Sequence, residues 1–325
     1  MKRDHLSLIV FILLFCAFPF LVGVKSYWIT VFIFAGIYSL ITIGLSLLMG
    51  YAGQISLGHA AFFGMGAYTS GLLTTLLNWN PWLALLAALL LTSSAALLIG
   101  IPTLRLSGHY LAMATLALGE ILVIFFKAEV ELTGGPSGFG LIPRLSIFGF
   151  VLKRDIEFYF FVWSIVALAL VMAMNVIHSR VGRALRSIHG GELAANAMGI
   201  NTSSYKVQVF VLSAALASLS GSLYAHYVTF VSPTACELKL SVFLVVMVAI
   251  GGMHHLWGAI VGTILLTVLP EFLHVFQDFD ILAYGLILMI IMIFAPNGLV
   301  GALAALIQRL RRRFLAVDSQ RRGVI

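Results

Sequence analysis

Charge is scarce in this 325-residue chain: Asp, Glu, Lys and Arg together make up 10% of it, against 61% hydrophobic residues. A soluble domain carries about a quarter charged residues, so a single water-facing fold is excluded. Cysteine is nearly absent, with only Cys16 and Cys236, far apart in sequence, which excludes a disulfide framework and a cysteine metal site. No Gly-Lys-Ser/Thr phosphate loop occurs, so nucleotide hydrolysis on this chain is excluded, and no HExxH pair or nucleophile with its base sits in an apolar run. Catalytic residues, metal ligands and cofactors are therefore assigned to none. His254 and His255 are adjacent and point to different faces, which suits an interfacial turn better than a metal site.

What is there is apolar text. Mean hydropathy is +1.08, and runs long enough to cross about 30 Å of hydrocarbon recur along the chain. The pattern predicts an all-α polytopic membrane protein, one transmembrane domain over residues 1–325. Spans fall at 6–24, 28–49, 50–77, 83–101, 109–126, 158–177, 207–227, within 240–270 divided at 251–257 into an eighth and a ninth, and at 281–295. The basic start MKRDH lacks a following small-x-small cleavage pattern, so the first segment is expected to be retained as a span. A re-entrant segment in place of the eighth and ninth would leave eight true spans, so the count is eight to ten.

Three stretches break the apolar text. The first half of the third span, GYAGQISLGHAAFFGMGAYTSG, is dense in glycine and holds Gln54, Ser56 and His59. An uncompensated polar group in hydrocarbon costs several kcal/mol, so this backbone is either packed tightly in protein or lines a wet transport pathway. Glu120 lies well inside the fifth span and must face protein or water, as a neutral packing residue or as a pathway or gating group. Lys127 shares its helix face about 10 Å further on, too far for a direct pair. The glycine-rich connector over residues 129–157 contains Thr133-Gly134-Gly135-Pro136-Ser137-Gly138, which makes turns.

The third break, RVGRALRSIHGGELAANAMGINTSSYK, lies between the sixth and seventh spans and organises the rest (loop 179–206). Gly190-Gly191 ends an upstream helix, Glu192 opens a new one of about two turns, and Gly199 closes it. Glu192, Ala195 and Gly199 share one face, and two of them are small. That spacing fits either an ordinary surface helix or a docking helix for a soluble partner.

Ten spans with both termini in the cytoplasm place thirteen of the nineteen basic residues inside, including a basic tail over residues 299–325. That agrees with the positive-inside tendency. Ten also divides into two fives of opposite sense, and the third segment of each half is glycine-rich or glycine-ended, which suggests an inverted repeat.

The segment ELAANAMG, Ala194 included, resembles the EAA-type loop through which membrane subunits of ABC importers engage their ATPases. The Glu-to-Gly spacing of seven is one longer than in the general pattern. Together with GQISLGHAAFFGMGAY, GHYLAMATLALGE and TGGPSG in order, the chain is similar to permease subunits of branched-chain amino acid importers of the LivM type. The resemblance implies a permease of a bacterial inner membrane, moving branched-chain or related small amino acids. Its partners would be a second homologous permease, two cytoplasmic ATPase subunits and an extracytoplasmic solute-binding protein. It makes the 192–199 helix the coupling helix, with ATP hydrolysis on partner chains. The alternative is an ion-coupled secondary transporter in which Glu120 carries a proton.

Overall fold

The computed structural model describes residues 2–23, 27–106, 108–147 and 150–273, with scattered positions between 285 and 301. The chain is a helical bundle. Helix α1 (Lys2–Val22) leads to α2 (Tyr27–Ser46), which continues as a π-helical turn, Leu47–Tyr51. Then come α3 (His59–Leu76), α4 (Pro81–Thr103) and α5 (His109–Ala128). After the short α6 (Val130–Thr133) follow α7 (Asp155–His178), α8 (Arg180–Gly190), α9 (Glu192–Ala197), α10 (Thr202–Val228), α11 (Leu238–Gly251) and α12 (Leu256–Leu273).

Among the described residues seven segments are long and apolar enough to cross a membrane: Tyr27–Tyr51, Pro81–Thr103, His109–Ala128, Asp155–His178, Thr202–Val228, Pro233–Gly251 and Leu256–Leu273. Two further predicted spans are helices that differ from this pattern. The apolar part of α1 is Val10–Phe20, and α3 is diluted by glycine, serine and threonine. The predicted third span starts later than its sequence suggests, because residues 52–58 are not helical and α3 begins at His59. The predicted break at 251–257 is present as the turn between α11 and α12. Nine of the fifteen residues of the predicted tenth span (281–295) fall outside the described residues, as does nearly all of the basic tail.

Helix α10 is the hub. Its run SAALASLSGS puts three hydroxyls onto three different helices: Ser218 donates to the carbonyl of Ala88 on α4 (3.2 Å), Ser220 to Ile37 on α2 (2.6 Å) and Ser222 to Gly66 on α3 (3.1 Å). Small residues permit this approach. A Cβ at Gly66 would strike the backbone of Ser218, and one at Gly221 would strike the carbonyl of Phe63. Helix α2, with 83% of its apolar window buried, is the other central element. It takes α12 on one side, where Thr42 and Thr263 hydroxyls meet at 2.7 Å, and α7 on another, where the Trp163 indole donates to Phe32 (3.2 Å).

At the opposite end from α8 and α9, the glycine-rich connector folds into one small hairpin and lends a strand to a second pair. Strand β1 (Phe139–Gly140) pairs antiparallel with β4 (Phe230–Val231), and β2 (Ser146–Ile147) with β3 (Phe150–Val151). Gly138 has φ +71°, and a Cβ there would run into the carbonyl of Val231, so the turn predicted at TGGPSG seats against the segment that follows α10. His226 donates from Nδ1 to the Pro143 carbonyl (2.7 Å), which leaves Nε2 to accept from Ser70 (2.8 Å). Lys127 pairs with Glu237 at 2.8 Å, and not with Glu120.

Replacing Gly221 by Val is expected to lower stability by about 3 kcal/mol or more, since backbone and not a flexible side chain blocks the new methyls. Gly190→Ala, where a Cβ meets nothing within 4 Å, is expected to leave the melting temperature of the detergent-purified chain unchanged. Equal stability of both variants would show that α3 and α10 do not cross as described.

Candidate functional site

The connector predicted between the sixth and seventh spans is two helices at an abrupt corner. Ser179 caps α8, its hydroxyl accepting from the Val181 amide at 3.1 Å. Arg186 reaches back to the Ile177 carbonyl at the end of α7 (3.2 Å), where a cation is favoured. The amphipathic α8 buries Gly182, Ala184, Leu185 and Ile188 and leaves Arg180, Arg183 and Arg186 exposed. Gly191 breaks the chain, α9 forms, and Gly199 closes it at φ +82°, with nothing near its Cβ position; backbone conformation is what requires glycine there.

The α9 face carrying Glu192 and Ala195 turns inward. Ala195 is buried, and Glu192 Oε1 accepts from Lys206 Nζ at 2.7 Å. Lys206, on the first turns of α10, is 2% exposed and Glu192 36%. The Thr202 hydroxyl lies 3.0 Å from Asn196 Oδ1 and 3.4 Å from the same carboxylate oxygen. Ala194 and Gly199 are exposed, and so are Leu193, at 87%, and Met198, at 83%. The connector is thus a short ledge braced from behind by a buried charge pair and presenting two large apolar side chains outward. Sequence reasoning treated Lys206 only as a topology charge. A lone lysine opening an apolar helix, with one carboxylate in the preceding connector, was the available signal.

Gln54, Ser56 and His59 lie on or just after the non-helical stretch. Residues 53–56 alternate: Gln54 and Ser56 are buried while Gly53 and Ile55 are exposed. Partners come from three other helices. His59 Nδ1 lies 3.0 Å from Ser56 Oγ and its Nε2 2.7 Å from Ser213 Oγ on α10. The Leu57 amide donates to Thr115 on α5 (3.0 Å), and the Ala60 amide to Ser241 on α11 (3.1 Å). Gln54 donates to the Ala52 carbonyl (3.1 Å) while its Oε1 has no hydrogen-bond partner.

Glu120 sits on α5, the least buried of the candidate spans at 22%. Gly119 packs on Gly58, so the half-buried Glu120 stands beside the broken stretch. Among the described residues it makes no ion pair or hydrogen bond. The small gap between α3 and α5, lined by Gly58, Ala61, Thr115 and Gly119 among others, has only about 10 Å³. That is about the room of one water. The structure therefore brings Glu120 near the 52–58 stretch and leaves Glu192, Ala194, Ala195 and Gly199 together at a separate end. Among the described residues no group of three or more His, Cys, Asp or Glu is placed to hold a metal.

A polytopic helical bundle with a broken membrane segment, an intramembrane carboxylate and an external two-helix connector defines a membrane permease. Residues 27–296 match the family model described as the permease component of the branched-chain amino acid transport system, and the chain belongs to that family. It is 32% identical over 320 residues to the high-affinity branched-chain amino acid transport system permease protein LivM of Escherichia coli K12, covering 91% of this chain and 75% of that one. Identity to LivM of Salmonella typhimurium is 30% with the same coverage. LivH of the same Salmonella is 24% identical over 287 residues, 81% of this chain and 91% of LivH. No solved structure matches. The family places the chain among ABC transport permeases and not among ion-coupled carriers or enzymes.

Removing the Glu192 charge strands the Lys206 ammonium, whereas removing the lysine frees a carboxylate that can turn to water. Glu192→Gln is expected to destabilise the chain by about 2–3 kcal/mol and Lys206→Met by less than about 1. Thermal unfolding of the full chain in detergent checks the order, and a costlier lysine substitution would contradict the brace.

Proposed function

We propose that this chain is one membrane half of an ATP-driven importer for branched-chain or related small amino acids in a bacterial inner membrane. Its α9 end and both termini face the cytoplasm. Two ATPase subunits on separate chains bind there, a second homologous permease completes the pathway, and a solute-binding protein delivers substrate from outside. The names of the relatives support the substrate class, and the basic connector and tail support the orientation.

The observation that carries the reading is the braced ledge. Leu193 and Met198 stand almost fully exposed on a helix fixed by the Glu192–Lys206 pair. Burying each against a partner would gain about 1.5–3 kcal/mol. In this reading Glu192 and Ala195 hold α9 in place, Gly199 ends it, and Leu193, Ala194 and Met198 meet the ATPase. Movement of the ATPases then passes through α9 to Lys206 and so to α10, the hub on which α2, α3 and α4 pack.

The pathway runs along the exposed side of residues 53–57 and the face of α5 that bears Glu120. Irregular backbone and a carboxylate cannot face hydrocarbon cheaply, so the second permease or the water-filled path covers them. Gln54, Ser56 and His59 line its wall from within, shaping the broken segment. An inverted repeat is supported by α3 and α11, whose first turns meet at Ala60 and Ser241.

Leu193→Asp combined with Met198→Asp is expected to leave the permease pair intact and abolish co-purification with the ATPases; undiminished co-purification would refute the ledge. Glu120→Gln is expected to cut uptake by the reconstituted importer at least tenfold, with assembly and binding-protein docking retained. Full uptake would reduce Glu120 to a packing residue.

A further inference from the structure

A cavity of about 350 Å³ opens at the α8 end of the bundle, lined by Gly50, Tyr51, Arg186, His189, His254 and His255. Three elements build it: the π-helical turn that ends α2, the last turns of α8, and the turn between α11 and α12. The Arg186 guanidinium lies over the Tyr51 ring, 5.6 Å from its centroid, and the His189 and His254 rings meet edge to face at 5.4 Å. The Tyr51 hydroxyl donates to the His254 carbonyl (2.9 Å). All three histidines and Arg186 are exposed to solvent, and among the described residues no acidic side chain lines the space.

The hydrogen bonds dictate what the imidazoles offer. His254 Nδ1 lies 3.1 Å from the Gly50 carbonyl, which can only accept, so Nδ1 carries the proton and Nε2 is left for another partner. In the neutral ring Nε2 is an acceptor; on protonation it becomes a donor. Arg186 spends one N–H on Ile177 and retains others. His189 lies against Gly53, where a Cβ would come within 2.8 Å of its Nδ1, so the cavity adjoins the exposed edge of the broken stretch.

We propose that this cavity is an anion site at the inner mouth of the translocation path, taking a carboxylate or phosphate group on Arg186, with the imidazoles of His189, His254 and His255 around it. Its place at an inner mouth rests on the orientation proposed above; the binding chemistry does not. Among the described residues no carboxylate lines the space beside this guanidinium, and an anionic oxygen group would supply the charge-assisted hydrogen bonds its remaining N–H groups can make. Tyr51 supplies the ring on which the guanidinium rests. An occupied site would tie α8 to the α2 and α11–α12 turns, so it would oppose movement of the connector while the anion stays.

The test uses the full chain in nanodiscs of neutral lipid, with acetate as the probe because its charge is constant above about pH 6. Saturable acetate binding is expected for the unmodified chain. Arg186→Gln and His254→Asn, the latter keeping a donor for Gly50, are each expected to weaken binding on the order of tenfold. Acetate should also shift the ¹⁵N imidazole resonances of the unmodified chain, a readout that needs no variant to fold. Inorganic phosphate is expected to compete with acetate. Repeating the titration in discs with anionic lipid separates the sources: acetate affinity lowered even at high salt identifies a lipid headgroup as the occupant, and unchanged affinity a soluble anion. Absence of saturable binding, or binding indifferent to both substitutions, would overturn the site. No ATPase or uptake is involved, so this failure is distinct from failure of the coupling reading.

Discussion

Close backbone approach between α3 and α10 is the constraint on which the rest hangs. With lipid outside and no hydrophobic drive between helices, packing depends on how near two backbones can come, and here Gly66, Ser218, Gly221 and Ser222 let them touch. That contact fixes where α3 lies, and hence where its first residue, His59, meets Ser213. The break in the membrane segment is therefore held from one side by the hub helix. The serines at 218 and 220 tie the same helix to α4 and α2, so a displacement of α10 is felt at once by three neighbours.

The buried Lys206 connects that hub to the exterior. A lysine nearly without solvent contact needs its carboxylate, and Glu192 is the carboxylate at 2.7 Å. The pair adds little net stability over an apolar substitute, yet it holds α9 at one angle to α10 because neither charge has another partner of opposite sign nearby among the described residues. In the proposed reading a ledge so fixed would transmit force along the hub, where a glycine-hinged loop alone would bend between Gly191 and Gly199. The exposed Leu193 and Met198 then stand away from the face that Glu192 and Ala195 turn onto α10.

Much of this was legible from local chemistry. The limits of α8 and α9 follow from glycines at 190, 191 and 199, because helix termination is a local property of the backbone. The small-residue text of α10 announced tight packing for the same reason. Partners were not legible: nothing in the text at Glu192 names Lys206, and the face shared by Glu192 and Ala195, open to a partner by spacing, is turned onto the protein's own α10. The two-residue strand β1 and its pairing with β4 escaped notice because two residues carry no alternation. At residues 52–58 glycine density marked the irregularity, while the in-and-out order of Gln54, Ser56, Gly53 and Ile55 depends on contacts from α5, α10 and α11 that lie far away in sequence.

That in-and-out order bears on where a solute can pass. The polar side chains of the broken stretch are spent on internal partners, His59 on two serines and Leu57's amide on Thr115, and the gap between α3 and α5 has room for about one water. Among the described residues the gap between α3 and α5 is thus too small for an amino acid. The unspent groups are on the rim: the backbone at Gly53 and Ile55, and Glu120 on a helix with most of its surface unburied. Since groups of this kind cannot be left to hydrocarbon, the surface they form calls for protein or water opposite, and the proposed pathway beside a second permease would supply either.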